Sequence, residues 1–386
     1  MSSDQKKAMN NILEWYKKDS QEMQYITLGG FAGTGKTTLI SILRKKLDKI
    51  NKKLKVGFAS YTGKATRVLL AKIKDSKTIL KQDSVSTIHS LIYSPVVNDR
   101  QEIIGWKLKD KIDPQLIIID EASMVDSVIW KHLLSYKIPI VVVGDHGQLP
   151  PIAGNFNLME KPDLVLTEIH RQAKDNPIIK LSIDARQKGM IESGRYSNNV
   201  VKFDRNDFES GDMMGELLAN YSADTLILCG YNATRKSINS HIRKNIGFDS
   251  VLPQVGDRVI CLRNNHKVKI YNGMLGVIKE INYGDKKWFD VDIQMDGEDR
   301  LYSGLIMASQ FGADNSLNFT GNRKDTVKGD LFDFGYALTV HKAQGSQAKR
   351  VILFEERFAK MDEDSWRRWL YTAVTRAEEE LYIFGR

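Results

Sequence analysis

The chain has 386 residues, enough for two or more domains with separate hydrophobic cores. Its composition, 42% hydrophobic and 27% charged, is typical of globular proteins. No run approaches the roughly 18 apolar residues of a transmembrane helix. The polar N-terminus does not resemble a signal peptide, and Cys229 and Cys261 lie in apolar runs, which predicts reduced core cysteines in a cytoplasmic protein. The net charge of +9 favours a polyanionic partner, although a solvated basic surface explains it equally well.

Short apolar strands alternate with helical patterns along most of the chain. Continuous Val, Ile and Leu runs separated by helices predict parallel sheets covered on both faces. The first-half strands are YITLGG, VGFAS, LIIIDE, IVVVGD and LVLTE, and the second-half strands are TLILCG, FGYALTV, KRVILF and LYIFG. The sequence therefore predicts an α/β protein with two lobes.

Two segments depart from this alternation. Residues 91–112 predict a small β-hairpin inserted in the first lobe. Residues 251–328 contain DRVICLRNN, GMLGVIKEI and KWFDVDIQM with Gly-rich joints, which predicts a small all-β insert in the second lobe. The chain shows no internal repeat and no low-complexity tract.

A phosphate-binding loop is predicted at GGFAGTGKTT, residues 29–38. Gly30 to Thr37 fit the pattern G-x-x-x-x-G-K-[ST], between a strand and a helix. The glycines let backbone N–H groups face the phosphate oxygens of a nucleotide such as ATP. We expect Lys36 to reach the β and γ phosphates and Thr37 to hold Mg²⁺.

Two further strand ends carry polar residues, where ligands bind in open α/β sheets. In LIIIDEAS, Asp120 is predicted to bind Mg²⁺ and Glu121 to orient and deprotonate the attacking water. In VVVGDHGQLPPI, Gln148 is placed to sense the γ-phosphate. A plain turn made by the glycine and the two prolines remains the alternative for that segment.

The second lobe has no phosphate loop of its own. It offers HRQ at 170–172, HKAQGS at 341–346 and TAVTRAE at 372–378, all polar and two with an arginine. Charge that develops on a transferring phosphoryl group needs such an arginine. If ATP lies between the lobes, these segments close over it, and hydrolysis opens and closes a cleft.

Taken in order, these segments resemble the motifs of a superfamily 1 (1B) DNA helicase, nearest to the RecD-like and Dda-like group that moves 5′ to 3′. The resemblance covers nearly the whole chain. It rests on SSDQKKAM, GFAGTGKTT, ASYTGKAT, VSTIHSLI, IIIDEASM, VGDHGQLPP, LTEIHRQ, LTVHKAQGSQ and YTAVTRAEEELYIF. It implies two RecA-like lobes, with a pin-like hairpin in the first that splits the duplex. The segments GDRVICLRNN and YNGMLGVI resemble the SH3-like insert of the group, which lies against the DNA path.

The resemblance also implies roles for single residues at the ATP site. Gln5 matches the adenine-reading glutamine, Arg171 and Arg376 match two arginines that contact the γ-phosphate, and Gly345 lies in a loop that senses the nucleotide. Nucleotide contacts are expected from Gly30, Ala32, Gly33, Thr34, Gly35, Lys36, Thr37 and Thr38. His170 could stack on adenine, or pack as an ordinary surface residue.

Further matches imply contacts with single-stranded DNA. They are Thr62, Gly63, Lys64, Ser86, Thr87 and His89 in the first lobe, and Asn232, Thr339, His341 and Lys342 in the second. The front half of LTVHKAQGS is then expected to grip nucleic acid and the back half to follow ATP. Tyr93 and Trp106 are candidate stacking residues on the hairpin; packing at the hairpin base is the alternative.

The predicted organisation is a first lobe of residues 1–90 and 113–170 with the pin at 91–112. The second lobe comprises residues 171–250 and 329–386, with the SH3-like insert at 251–328. The short inserts and the lack of a large domain ahead of the phosphate loop predict a minimal form. These departures put strong strand separation in doubt more than translocation.

The sequence therefore predicts an ATP-driven helicase on single-stranded and forked duplex DNA, acting as a monomer. A DNA-binding or loading factor gated by ATP, serving a replication or recombination complex, uses the same ATP residues and stays open. A small-molecule ATPase leaves the second lobe unexplained. A chain rich in Lys and Asn is compatible with a bacteriophage protein acting in the host cytoplasm.

Overall fold

The computed structural model describes most of the chain: residues 1–97, 103–151, 156–169, 175–265, 267–268, 270–284, 286–298, 300–314, 317 and 328–386. These residues form two six-stranded sheets, a five-stranded sheet and a two-stranded hairpin. The predicted α/β class with two parallel-sheet lobes is confirmed.

The first lobe consists of a sheet with helices on both faces. Its helices are α1 (Ser3–Lys18), α2 (Lys36–Ile50), α3 (Gly63–Asp75), α4 (Ile88–Ile92) and α5 (Ser127–Ser135), with a 3₁₀ turn at Ala122–Met124. Its strands are β1 (Tyr25–Gly30), β2 (Val56–Ser60), β3 (Ser84–Thr87), β4 (Tyr93–Val97), β5 (Ile103–Leu108), β6 (Leu116–Asp120), β7 (Ile140–Gly144) and β8 (Leu164–Leu166).

The first-lobe sheet runs in the order β3-β2-β6-β7-β1-β8, and all its pairs are parallel. Every residue of β6 is buried because Leu116 and Ile118 pack in one core and Ile117 and Ile119 in another. Strands β6, β7 and β1 are neighbours, so their carboxyl ends meet at one edge of the sheet. The hairpin β4–β5 is antiparallel.

The second lobe has helices α6 (Pro177–Lys188), α7 (Phe208–Ala219), α8 (Asn232–Asn245) and α9 (Glu363–Val374). Strands β9 (Gly194–Ser197), β10 (Val200–Asp204) and β11 (Thr225–Cys229) precede the insert; β12 (Arg258–Cys261), β13 (Leu275–Asn282), β14 (Trp288–Met295), β15 (Leu301–Met307) and β16 (Phe332–Phe334) form it; β17 (Ala337–Thr339), β18 (Ala348–Phe354) and β19 (Ala377–Gly385) return to the lobe. A 3₁₀ turn spans Ala308–Gln310.

The second-lobe sheet has the order β17-β11-β18-β19-β10-β9 and is parallel except for β9. Along β18, Val351 and Leu353 enter one core, whereas Ile352 and Phe354 enter another. Both Cys229 and Cys261 are buried free thiols, and burial raises the pKa of Cys229 to about 12.

The insert is an antiparallel sheet in the order β15-β14-β13-β12-β16. The sequence FGYALTV, predicted as one strand of the second lobe, is divided between two sheets. Phe332–Phe334 pairs with β12 of the insert, so the insert sheet extends past residue 328, and Ala337–Thr339 pairs with β11. Gly335 between them packs tightly, because an added Cβ would lie 2.8 Å from the Val259 carbonyl carbon.

Buried ion pairs from α8 fix the insert on the second lobe. Arg235 Nη1 lies 2.8 Å from Asp333 Oδ2, and Arg243 Nε lies 2.8 Å from Asp257 Oδ1. Removal of one partner from such a buried ion pair is strongly destabilising, because the other charge is left buried and unpaired. The two pairs therefore favour a fixed orientation of the insert on the second lobe. Within the described ranges, no helix combines the length and the apolar character needed to cross a bilayer.

Candidate nucleotide and nucleic-acid sites

The phosphate loop lies between β1 and α2. Gly35 directly precedes the helix with φ +77°, in the left-handed region that favours glycine. The first amides of α2 therefore face the loop and form a site suited to an anion. Lys36 Nζ donates to the carbonyl oxygens of Gly30 (2.6 Å) and Phe31 (3.0 Å), which holds the ammonium group beside this site.

A cavity of about 350 Å³, here called the nucleotide cleft, opens beside the loop and between the lobes. The predicted site residues that line it are Ala32, Gly33, Gly35, Lys36, Thr37, Thr38, Asp120, Glu121, Gln148, Gly345 and Arg376. Gly345 and Arg376 belong to the second lobe. The structure therefore brings residues of both lobes to one cavity, as the sequence motifs predict.

Three predicted nucleotide residues lie behind the cleft rather than on its wall. Gln5 is buried, and its Nε2 donates to the Thr34 carbonyl oxygen at 2.8 Å. Thr34 Oγ1 donates to the Phe31 carbonyl oxygen at 2.8 Å, and Gly30 accepts from Lys36. These contacts support the shape of the loop, and reading of adenine by Gln5 stays a prediction.

The pair predicted to hold a cation is adjacent. Thr37 Oγ1 lies 3.4 Å from Asp120 Oδ2. Burial, followed by the charge of Glu121, raises the pKa of Asp120 to about 6. The described residues contain no cluster of three or more His, Cys, Asp or Glu side chains that could hold a metal. A hydroxyl and a carboxylate are nevertheless oxygen ligands of the kind that Mg²⁺ takes together with phosphates and water, so the pair fits a nucleotide-bound Mg²⁺.

Glu121 occupies a strained backbone position at the end of β6. Its φ of +55° is one that residues with side chains rarely adopt. Such strain is often found at functional sites, where the surrounding structure holds it in place. The conformation places Glu121 on the wall of the nucleotide cleft beside Asp120.

The end of β7 supplies Gln148 and a residue that the motifs did not single out, Asp145. Gln148 is buried, and its carbonyl oxygen accepts from Arg368 Nη1 at 3.2 Å. The Asp145 carboxylate Oδ2 lies 3.7 Å from Lys36 Nζ. A signal for Asp145 was present, since VVVGD ends a strand at the same sheet edge as the phosphate loop.

Arg376 is buried at the second-lobe wall of the cleft. Its Nε donates to the Thr372 carbonyl oxygen at 2.9 Å, and its Nη1 donates to the Ser346 carbonyl oxygen at 3.2 Å. Burial lowers the pKa of Arg376, while the charges of Glu121 and Asp145 oppose that shift. Arg171 and His170 lie outside the described residues, so their predicted roles stay predictions.

A second cavity, of about 400 Å³, lies beside the first and is here called the polar channel. Its walls include seven residues predicted to contact DNA: Thr62, Gly63, Lys64, Thr87, His89, His341 and Lys342. The other four predicted contacts, Ser86, Trp106, Asn232 and Thr339, are absent from the channel lining. Asn232 instead accepts a hydrogen bond from Arg235 Nε at 3.2 Å.

Burial shapes the charge of the channel. It lowers the pKa of His89 and His341 below the ordinary histidine value of 6.5, so both imidazoles are neutral at pH 7. It also lowers the pKa of Lys64 and Lys342. The channel therefore combines neutral hydrogen-bonding groups with two lysines, a combination that contacts phosphates without reading base sequence.

Aromatic side chains cluster at the base of the hairpin. The His89 ring lies 4.5 Å from the Tyr93 ring and 4.6 Å from the Trp106 ring, measured between centroids. The Tyr93 hydroxyl is hydrogen-bonded to His132 Nδ1 at 2.5 Å. Trp106 therefore contacts His89, and His89 in turn lines the polar channel. This geometry agrees with the packing alternative for both rings and leaves stacking on DNA as a prediction.

The insert contributes channel residues that the sequence did not single out individually, among them Asn264, Tyr271 and Asn272. Tyr271 packs on the first lobe, because a Cβ added to Gly63 would lie 2.8 Å from its ring. Arg67 of α3 also contacts the insert through an ion pair with Glu298 at 3.1 Å. Asn264, Tyr271 and Asn272 lie in the segments GDRVICLRNN and YNGMLGVI, from which the resemblance places the insert against the DNA path, but no pattern distinguished these side chains from their neighbours.

One short segment borders both cavities. His341, Lys342, Gln344 and Ser346 line the polar channel, while Gly345 and Gln347 line the nucleotide cleft. The sequence predicts that the front half of this segment faces nucleic acid and the back half faces ATP. In the structure, residues from 344 onward alternate between the walls of the two cavities. Gly345 has φ +74°, and a Cβ there would lie 3.0 Å from Thr62 Oγ1 of the first lobe.

Two parallel-sheet lobes, with one phosphate loop at their junction and an arginine from the opposite lobe, define a RecA-like P-loop NTPase. A family model described as an AAA domain matches residues 1–202, more than half of the chain. A second model, the UvrD-like helicase C-terminal domain, matches residues 334–384. The chain belongs to this AAA-domain family. The resemblance stated from the motifs is confirmed.

Curated relatives extend along most of the chain. An ATP-dependent RecD2 DNA helicase of Deinococcus radiodurans is 26% identical and matches 93% of this chain, which spans 47% of that protein's length. The ATP-dependent DNA helicase dda of Enterobacteria phage T4 is 24% identical, with 99% of this chain and 98% of the relative covered. An ATP-dependent DNA helicase Pif1 of Campylobacter jejuni is 24% identical over 85% of this chain and 82% of its own.

Solved structures share the fold. A structure of Pif1 helicases at forked dsDNA aligns with a TM-score of 0.55 and 18% identity, covering 99% of this chain and 91% of that chain. A Bacteroides Pif1 bound to ssDNA aligns with a TM-score of 0.54 and 19% identity over the same shares. At this level of identity the likeness concerns the fold alone.

Proposed function

We propose that this chain is an ATP-dependent DNA helicase that moves 5′ to 3′ along single-stranded DNA. ATP is hydrolysed in the nucleotide cleft while the strand passes through the polar channel. The RecD2, Pif1 and dda relatives are named as ATP-dependent DNA helicases, which supports this activity. A 5′ to 3′ direction follows from the resemblance to the RecD-like and Dda-like group.

The residues that line the cleft support the proposed chemistry. Lys36 and Arg376 approach from opposite lobes and stabilise negative charge on the phosphates, most strongly as it spreads in the transition state. Glu121 orients the attacking water and accepts its proton. Mg²⁺, held by Thr37 and Asp120 together with the phosphates, supplies further charge neutralisation when bound.

The polar channel suits a nucleic-acid backbone of any sequence. Thr62, Thr87 and His341 offer small neutral hydrogen-bonding groups, and Lys64 and Lys342 add positive charge. Phosphate contacts of this kind position a strand without recognising bases, as a translocating motor requires. Tyr271 of the insert offers a ring for base stacking, which tolerates any sequence.

The observation that carries the proposal is the segment 341–347, which borders both cavities. A change of nucleotide that shifts Gly345 or Gln347 must also move Gln344 and Ser346 on the channel wall, because they are adjacent in the chain. Binding of a strand and turnover of ATP are therefore coupled through one short stretch of backbone. Allosteric coupling of this sort is reciprocal.

Forked duplex DNA is the proposed substrate for unwinding, with the hairpin β4–β5 as the separating element. The pin role rests on the position of the hairpin beside the channel. Tyr93 at the start of the hairpin contacts His89, and His89 lines the channel. Action as a monomer, service in replication or recombination, and a cytoplasmic location remain parts of the proposal.

The experiment is strand separation on a duplex with a single-stranded tail at either the 5′ or the 3′ end, with ATP and Mg²⁺. We expect unwinding of the 5′-tailed duplex and little of the 3′-tailed one, and none with the Lys36→Ala variant. Preference for the 3′ tail would reverse the proposed direction. DNA-stimulated ATP turnover without unwinding of either duplex would support the DNA-loading alternative instead.

A further inference from the structure

Tyr371, in α9 of the second lobe, is buried against the phosphate loop of the first. Its hydroxyl accepts a hydrogen bond from the Ala32 N–H (2.7 Å) and donates one to Asp145 Oδ2 (2.6 Å). Burial raises the pKa of Tyr371 well above its ordinary value, so the hydroxyl keeps the proton that it donates. One hydroxyl therefore joins the backbone of the phosphate loop to the end of β7.

The oxygen that Tyr371 contacts is also the one nearest to Lys36. Asp145 Oδ1 accepts from the Gly147 N–H at 2.9 Å, while Oδ2 has Tyr371 at 2.6 Å and Lys36 Nζ at 3.7 Å. The hydroxyl is the closer partner and takes up part of the acceptor capacity of the carboxylate. Without it, a buried carboxylate would need another donor, and Lys36 is the nearest cation.

Tyr371 and Arg376 are held by the same helix end. The Thr375 hydroxyl donates to the Tyr371 carbonyl oxygen at 2.9 Å, and Arg376 Nε donates to the Thr372 carbonyl oxygen at 2.9 Å. Nearby, Arg368 Nη1 donates to the His146 carbonyl oxygen at 2.5 Å. The position of Tyr371 on the phosphate loop therefore sets how α9, with Arg376, sits over the cleft.

We infer that Tyr371 is a positioning residue for ATP hydrolysis. Its hydroxyl is a closer partner of Asp145 Oδ2 than Lys36 is, which weakens the pairing of that carboxylate with the ammonium group and leaves Lys36 for the phosphates. It also fixes the helix end that carries Arg376 relative to the phosphate loop. This inference rests on the ATPase activity proposed above. It assigns Tyr371 no contact with ATP, so its loss should affect the rate of the chemical step more than the binding of nucleotide.

The test compares Tyr371→Phe with Tyr302→Phe. Tyr302 is a matched control, because it is also a buried tyrosine whose hydroxyl donates to a buried aspartate, Asp330, at 2.8 Å, and it lies in the insert. We expect Tyr371→Phe to lower kcat about 10- to 100-fold through misplacement of catalytic groups. The KM for ATP should stay within about twofold of that of the unchanged protein, since ground-state binding is retained. Tyr302→Phe should leave both constants near their original values.

Two further measurements separate positioning from simple destabilisation. Binding of ADP with aluminium fluoride, which imitates the transferring phosphoryl group, should weaken in Tyr371→Phe while binding of ADP alone does not. The double variant Tyr371→Phe, Asp145→Asn should hydrolyse ATP no more slowly than the slower of the two single variants. The reason is that the effects of two substitutions do not add when one residue acts through the other.

The inference is overturned if Tyr371→Phe turns over ATP as fast as Tyr302→Phe. It is also overturned if kcat falls only together with ADP binding and thermal stability. Absence of hydrolysis by the unchanged protein would refute the proposed function instead. In that case the aluminium fluoride measurement still decides the inference, since it requires no turnover.

Discussion

The nucleotide cleft and the polar channel lie side by side between the same two lobes but differ in construction. At the cleft, second-lobe side chains bond directly to the first lobe: Arg368 to the His146 carbonyl oxygen, Tyr371 to Ala32, and Thr372 to the Leu149 N–H. At the channel, Gln344 Nε2 donates to the Leu149 carbonyl oxygen at 2.8 Å, Lys64 Nζ donates to the Gln347 carbonyl oxygen at 3.0 Å, and Tyr271 of the insert packs on Gly63. The cleft bonds converge on the segments that follow β1 and β7, whereas the channel contacts are spread over both lobes and the insert.

This difference suits the two ligands. Phosphoryl transfer requires charged groups at fixed positions, since catalysis there is mainly positioning and electrostatic stabilisation. A moving strand needs several weak contacts that can be exchanged at each step. Variants at the cleft should therefore act on turnover, and variants at the channel on affinity and unwinding. The following predictions test that division, from the largest expected effect to the smallest.

Replacement of Arg376 by alanine should have the largest effect. An arginine that stabilises the transferring phosphoryl group contributes about 10³- to 10⁵-fold to kcat, so turnover should nearly vanish while ATP affinity changes little. Arg350→Ala is the control. Arg350 of β18 pairs with Glu380 of β19 at 2.8 Å and is absent from the residues lining the cleft. Steady-state kinetics and nucleotide titration give both quantities. Equal losses of turnover and affinity would count against the role of Arg376.

Glu121→Gln should slow hydrolysis by about 10²- to 10⁴-fold, the usual contribution of a general base. Glutamine keeps the size of the side chain and can occupy the same strained backbone, so ATP binding should be retained. Hydrolysis measured in a single turnover, beside ATP binding, gives the comparison. Unchanged turnover in this variant would mean that another group activates the water.

Trp106→Ala should separate unwinding from hydrolysis. If the ring stacks on a base at the fork, its loss costs about 1–3 kcal/mol there, and unwinding of a tailed duplex should slow while DNA-stimulated turnover stays near its original rate. Trp106→Phe, which retains an aromatic face, is the control. A variant that unwinds normally would favour the alternative in which Trp106 packs against His89 at the hairpin base.

Lys64→Ala and Lys342→Ala should weaken DNA binding in a salt-dependent way. Each lysine that neutralises a phosphate of a single strand contributes about −0.7 to the slope of log affinity against log salt concentration. Each variant should reduce the slope by about that amount with little change in ATP affinity. Lys18→Ala, at an exposed site on α1, should leave the slope unchanged. An unaltered slope in both channel variants would exclude them from phosphate contact.

The parts of the fold that the sequence predicts are those with a strong local pattern. Strands β1, β6, β7 and β11 are continuous apolar runs, and each was located from that pattern. Short or mixed strands carry no such signal; β9, for example, is GRYS. The division of FGYALTV between two sheets depends on close backbone packing at Gly335, which is a tertiary property.

The candidate sites divide in the same way. Residues of the nucleotide cleft lie in motifs because phosphate chemistry requires particular residue types at fixed spacing. The channel is completed by Tyr271 and Asn272 of the insert, whose residue types are common in turns. Asp145 and Tyr371 stand in the quoted motifs VGDHGQLPP and YTAVTRAEEELYIF, but their contacts needed the structure, because their partners Lys36 and Ala32 are distant in sequence.

The most direct test of the account is the rate of ATP hydrolysis with and without single-stranded DNA, with single-stranded RNA measured in parallel. The central claim is that residues 341–347 couple the nucleotide cleft to the polar channel. It predicts stimulation by DNA of about tenfold or more, within the usual range of coupling between sites. Equal rates with and without nucleic acid would contradict the claim, because the lobes would then close on ATP independently of a strand.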